Sequence, residues 1–194
     1  EIVGVIGITG NPNKIEEISN IVKMLAELLL KQAHLTSANE WNNIQQSLII
    51  EELLNPFINV VNLKRLLFNL DIAIEQKYLI AVVETNNHFE TNTKNYFIFM
   101  NELVSRTILH KKMSITRYLL VYNLSTNSID TILNDFKKFT NSIPNTKIVY
   151  TSIIDKITNL KLAFEECELI LNLNLDNKVI NYQNYQLEGM LGQI

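Results

Sequence analysis

The sequence predicts an α+β fold, a helix-covered sheet in the C-terminal part preceded by a strand, a turn and a long helix. Two observations carry this prediction. Short β-type apolar runs alternate with segments whose apolar residues recur at the helical period, and two of the short runs stand close enough for a hairpin. A chain of 194 residues, 47% hydrophobic and 19% charged, can remove about 70% of its surface from water.

The residues 1–8, EIVGVIGI, are rich in β-branched side chains and read as a strand. Residues 9–13 form a turn in which Asn11 can cap a helix and Pro12 can occupy its first position. Ile15, Ile18, Val22, Leu25 and Leu28 or Leu29 then follow the helical period to about Gln32. A lone strand is not stable, so its partners are expected upstream or in another chain. Glu1 stands where an initiator Met would, which also predicts a piece of a longer polypeptide. Residues 36–46 are polar around Trp41 and suit an interdomain segment; helical patterns return at about 45–55 and 60–69. The expected organisation is a first part over 1–35, a helical linker over 36–77 and a second domain over 78–194.

The second domain opens with YLIAVVET at 78–85, apolar enough for a central strand covered on both faces. A polar loop and a helix of about 95–105 follow. Strand-like runs at 106–110 and 117–123 flank a basic turn and predict a hairpin. A helix of about 127–141 is next, with Ser125 or Asn127 as its cap and Ile129, Ile132, Leu133, Phe136 and Phe139 on its buried face. A strand at 146–151, a long helix at 156–172, a short strand at 178–182 and a terminal helix at 184–192 complete the order. That order describes a mostly antiparallel sandwich with a ferredoxin-like core.

Two stretches resemble the bacterial sugar-diacid regulators, the CdaR-like family with its PucR-like relatives. Residues 4–32, GVIGITGNPNKIEEISNIVKMLAELLLKQ, are similar to the end of that family's diacid-recognition domain. The unit from Tyr78 resembles the family's GGDEF-like domain, most clearly at 146–150, Leu160, Ala163, Cys167, Val179, Tyr182 and Leu187. The resemblance implies a cytoplasmic transcription regulator with an effector-sensing domain, a GGDEF-like middle domain and a C-terminal helix-turn-helix. The chain would then be a sensing remnant joined to a degenerate GGDEF-like sandwich. DNA would be contacted only through a helix-turn-helix domain absent from it.

The chemistry of the residues narrows the alternatives. Diguanylate cyclases need a glycine-rich, carboxylate-bearing hairpin turn to hold divalent cations on phosphates. Residues 108–118 here contain neither glycine nor carboxylate, so no cyclase activity is expected. Lys111, Lys112 and Arg117 offer a different possibility, a nucleotide-binding hairpin without turnover; a solvated basic turn is the plainer reading. Gly4, Gly7 and Gly10 have the wrong spacing for a dinucleotide fingerprint and are read as architectural. The helix N-terminus after them could still attract a small carboxylate effector near Thr9, Gly10 and Asn11, as the resemblance also implies.

Cys167 lies on an apolar helical stripe, where a free thiol packs as a small hydrophobe, and it excludes an internal disulfide framework by being alone. His34, His88 and His110 match no metal-ligand spacing, so neither metal nor cofactor is expected. Glu165, Glu166 and Glu168 read as the wet face of their helix, with Lys161 and Glu165 as one i,i+4 pair. The formal charge of −3 is evenly spread and lacks the positive field that direct nucleic-acid binding needs. No run of eighteen apolar residues suggests a membrane span.

The apolar stripe Val22, Leu25 and Leu29 is expected to pair with a second copy, because a two-fold operator calls for a two-fold protein; the alternative is an intramolecular core helix. The sequence therefore predicts a noncatalytic, homodimeric, effector-sensing and signal-coupling fragment. The alternatives are a degenerate nucleotide-binding module or an enzyme with an unfamiliar site.

Overall fold

Alternate residues of the central strands sort into two apolar sets, and each set meets a different layer of helices. The computed structural model describes residue 7 and residues 12–85, 93–173 and 175–185. The chain divides into two compact units, Glu1–Ile44 and Gln45–Ile194.

Helix α1 spans Pro12–Leu54 and so supplies residues to both units. The sequence suggested a helix ending near Gln32 and a second one from about 45. No Gly or Pro occurs between residues 13 and 54, and the polar stretch at 36–46 lacks any residue that breaks a helix. Within the first unit, Ile21, Met24, Leu25, Leu28, Leu29 and Leu30 on α1 are exposed. The strand expected at 1–8 lies outside the described residues apart from Gly7.

The second unit begins at Gln45, so it takes in the end of α1 and the helix after it together with the segment from Tyr78. Ile49, Ile50 and Leu53 at the end of α1 are completely buried, and Leu63, Leu66 and Leu67 of α2 (Val60–Asn69) join them in one core. The i, i+3, i+4 spacing of Leu63, Leu66 and Leu67 and the i, i+1, i+4 spacing of Ile49, Ile50 and Leu53 each mark one helix face that must be covered. Asn59 caps α2 by accepting the Asn62 N–H at 3.1 Å. After α2 the chain reverses through Asp71, whose φ of 54° is the left-handed conformation that ends many helices.

The remaining elements are β1 (Tyr78–Thr85), α3 (Thr93–Ser105), β2 (Leu109–Lys112), β3 (Arg117–Asn123), α4 (Ile129–Ser142), β4 (Thr146–Tyr150), α5 (Leu160–Asn172) and β5 (Val179–Asn181). A single turn of 3-10 helix, Ile157–Asn159, leads into α5, and another, Tyr182–Tyr185, follows β5. The terminal helix expected at 184–192 lies mostly outside the described residues.

The strands form one sheet in the order β2-β3-β1-β4-β5. β1 pairs antiparallel with β3 and β4, β2 pairs antiparallel with β3, and β5 joins β4 in parallel. Tyr78, Ile80, Val82, Leu109, Leu119, Val121 and Val149 face the layer built from the end of α1, α2 and α5. Leu79, Ala81, Val83, Leu120, Tyr122 and Ile148 face α3 and α4. This two-sided burial explains why β1 is apolar along nearly its whole length.

Two local expectations shift. β2 covers Leu109–Lys112, so only the end of the predicted 106–110 run is strand; Thr107 instead donates its hydroxyl to Val104 O at 2.7 Å in the turn after α3. The cap of α4 is Ser128, whose Oγ accepts the Thr131 N–H at 3.2 Å. Ser125 and Asn127, the caps expected from the sequence, instead bond to Asn123 at the end of β3.

Candidate functional site

The β2–β3 hairpin carries the cationic groups singled out in the sequence. Ser114 closes its turn, with its Oγ accepting the Arg117 N–H at 3.1 Å and the Thr116 N–H at 3.3 Å. Side-chain closure of this sort replaces the conformational freedom of glycine. No carboxylate stands in the turn, and the diguanylate cyclase signature is absent from the chain.

Arg117 is directed into its own protein. Its Nε donates to Glu84 Oε1 at 2.8 Å, its Nη1 to Glu168 Oε2 at 2.6 Å and its Nη2 to Asn172 Oδ1 at 3.5 Å. Burial alone would disfavour the guanidinium charge, but the two carboxylates outweigh it and hold the pKa of Arg117 above its ordinary value. β1, β3 and α5 thereby meet at one half-buried cation.

The two lysines take separate partners. Lys111 Nζ pairs with Glu51 Oε1 of α1 at 2.5 Å, and Lys112 Nζ lies 5.6 Å from the centre of the Tyr118 ring. The three basic side chains are therefore distributed over three sets of partners. Glu51, Glu84 and Glu168 were not anticipated, since they lie far from the hairpin in sequence and only the sheet register and helix packing bring them to it.

The end of α1 also touches the backbone of β2. Gln46 Oε1 accepts the His110 N–H at 3.0 Å. Burial holds the pKa of the His110 imidazole below its ordinary value, and Thr107 Oγ1 lies 3.4 Å from its Nδ1.

Other candidate groups have structural partners. Cys167 is fully buried with its Sγ 3.5 Å from Val149 O, and burial first, then Glu166, push the thiol well above its usual pKa. The thiolate is the reactive form, so this site suppresses nucleophilic chemistry. Lys161 and Glu165 form the anticipated pair at 3.8 Å. A polar cleft of about 400 Å³ runs past Arg106, Thr131, Asn134 and Lys138, and Arg106 is neutralised there by Asp135 at 2.8 Å.

Among the described residues no group of three or more His, Cys, Asp or Glu side chains could hold a metal ion. No described helix is long and apolar enough to cross a membrane. Of the expected interface, Leu25 and Leu29 are exposed and Val22 is half-buried. Thr9, Gly10 and Asn11 lie outside the described residues.

Comparison with known proteins places a recognition family on this first part of the chain. Residues 1–53 match the family described as "Putative sugar diacid recognition". The match contains Thr9, Gly10, Asn11, Val22, Leu25 and Leu29, and it continues past residue 35, the expected boundary, to the buried Leu53. An uncharacterized protein of Haemophilus influenzae is 22% identical over 100 residues, covering 52% of this chain and 27% of that protein. The chain thus spans only about a quarter of the length of that curated relative.

Proposed function

We propose that the chain is the noncatalytic effector-sensing, signal-coupling and dimerising portion of a CdaR-like transcription regulator. The observation that carries this reading is the overlap at the end of α1. Residues 1–53 match a diacid-recognition family, while Ile49, Ile50 and Leu53 of that match are core residues of the second unit. A helix shared in this way gives effector occupancy a covalent and packed route to the sheet, which is the physical requirement for a coupling free energy between sites.

We read the second unit as a degenerate GGDEF-like domain with a ferredoxin-like core; its strand order and its helices on both sheet faces support this reading. The partners of Lys111, Lys112 and Arg117 weigh against a nucleotide there, because a phosphate would have to displace Glu51, Glu84 and Glu168. A small dicarboxylate is the effector class we assign to the first part, and the exposed Leu25 and Leu29 are the residues we assign to pairing with a second copy. DNA contact belongs, in this reading, to a helix-turn-helix outside the chain.

Calorimetric titration with D-glucarate and, separately, with GTP tests the assignment. Saturable glucarate binding with no GTP binding is the expected result. GTP binding that is lost in Lys111→Ala/Arg117→Ala would replace the sensing assignment with the nucleotide one.

A further inference from the structure

We propose that the end of α1 is a clasp on the β2 edge, set to open when α1 shifts while the rest of the sheet stays folded. β2 is the outermost strand on its side of the sheet. Met113 N–H donates to Arg117 O at 2.9 Å, and the antiparallel register pairs Lys111 with Leu119 and Leu109 with Val121. Alternation along such a ladder turns the His110 N–H away from β3. An outward edge amide of this kind is a place where another chain could pair, and proteins ordinarily cover it. Gln46 covers it here, from a residue 64 positions away in the sequence.

The clasp combines two kinds of contact. Ile49, Ile50 and Leu53 pack in one core with Leu109, Leu119 and Val121, and such apolar contact is non-directional. The Gln46–His110 bond and the Lys111–Glu51 pair are directional and depend on the axial position of α1. A slide of one residue moves a helix by about 1.5 Å, enough to break a 3.0 Å hydrogen bond while apolar side chains stay in contact. The far end of the hairpin is held independently, since Arg117 is tied to Glu84 and Glu168. β2 can therefore loosen at its edge without releasing β3.

The clasp deepens the coupling role proposed above, and it rests on that role only for what moves α1. Its test needs no effector, so a failed glucarate titration leaves the readout intact. Backbone hydrogen exchange of the whole chain is followed by NMR in the wild type, in Gln46→Leu, which removes the acceptor, and in Glu51→Gln, an exposed position that keeps the fold. The expected result is exchange of the His110 amide about tenfold faster in Gln46→Leu and measurably faster in Glu51→Gln. The amides of Ala81 and Leu120 in the sheet centre should stay within about twofold of wild type. Unchanged His110 protection in both variants overturns the proposal. Equal acceleration of His110, Ala81 and Leu120 also overturns it, because the edge would then open only with the whole sheet. If Gln46→Leu does not fold, the Glu51→Gln comparison decides by the same two criteria.

Discussion

Arg117 on β3 and Glu168 on α5 are joined at 2.6 Å, and the same guanidinium reaches Glu84 on β1 at 2.8 Å. One cation therefore ties two neighbouring strands to the helix that covers them. Replacing it would leave two carboxylates facing each other in a half-buried setting. Arg117→Met should lower the unfolding free energy by about 1–2 kcal/mol, between the values for exposed and buried pairs. Urea denaturation measures this. A loss equal to that of an exposed substitution such as Lys64→Met would remove the structural role given to Arg117.

The buried thiol gives a second prediction. Native protein at neutral pH should leave Cys167 unmodified by iodoacetamide, with labelling appearing only as denaturant unfolds the second unit. Fast labelling of the folded protein would show that the thiol is reachable and ionisable, contrary to its burial.

His110 gives a pH dependence. Its folded pKa lies below the ordinary 6.5 because burial disfavours the imidazolium. Its stabilising contribution is complete above about pH 6.5 and is lost as pH falls through the lowered folded value, since the unfolded chain takes the proton more readily. Glu166 acts in the opposite sense, because burial raises its pKa and its contribution fades as pH rises through that value. Comparing wild type with His110→Gln from about pH 7 to pH 5 isolates the histidine. Wild-type stability should fall more steeply than that of the variant, and parallel curves would show that His110 does not titrate differently on folding.

Much of the second unit was legible because its signals are local. YLIAVVET reads as a doubly covered strand from its composition, and β1 is buried on both faces. The stripe Ile132, Phe136 and Phe139 marks the inner face of α4 by spacing alone. The length of α1 is hard to read because the polar residues at 36–46 interrupt the apolar period, while the absence of Gly and Pro there leaves the helix free to continue. The burial of the end of α1 is hard to read for a related reason. Ile49, Ile50 and Leu53 announce a buried face, but nothing local names the sheet that buries them.

Side-chain partners were the least legible feature. Glu168 reads as one of several acids on a wet helix face, and only the approach of α5 to β3 makes it the counter-ion of Arg117. Gln46 is one of two adjacent glutamines in a polar stretch, and its role depends on which strand ends up at the sheet edge. The candidate effector residues Thr9, Gly10 and Asn11 rest on sequence and family likeness.

The membership of the end of α1 in the core of the second unit is the claim on which coupling depends, and Leu53→Ala tests it most directly. Urea unfolding of the full chain, followed by the near-ultraviolet circular dichroism of the buried Tyr78 and Tyr122, reports on the sheet itself. The account predicts that Leu53→Ala lowers the unfolding free energy of this transition by about 2–5 kcal/mol, as for a leucine removed from a packed core. A change below about 0.5 kcal/mol, the range of an exposed position, would mean that α1 ends in a linker and would contradict the account.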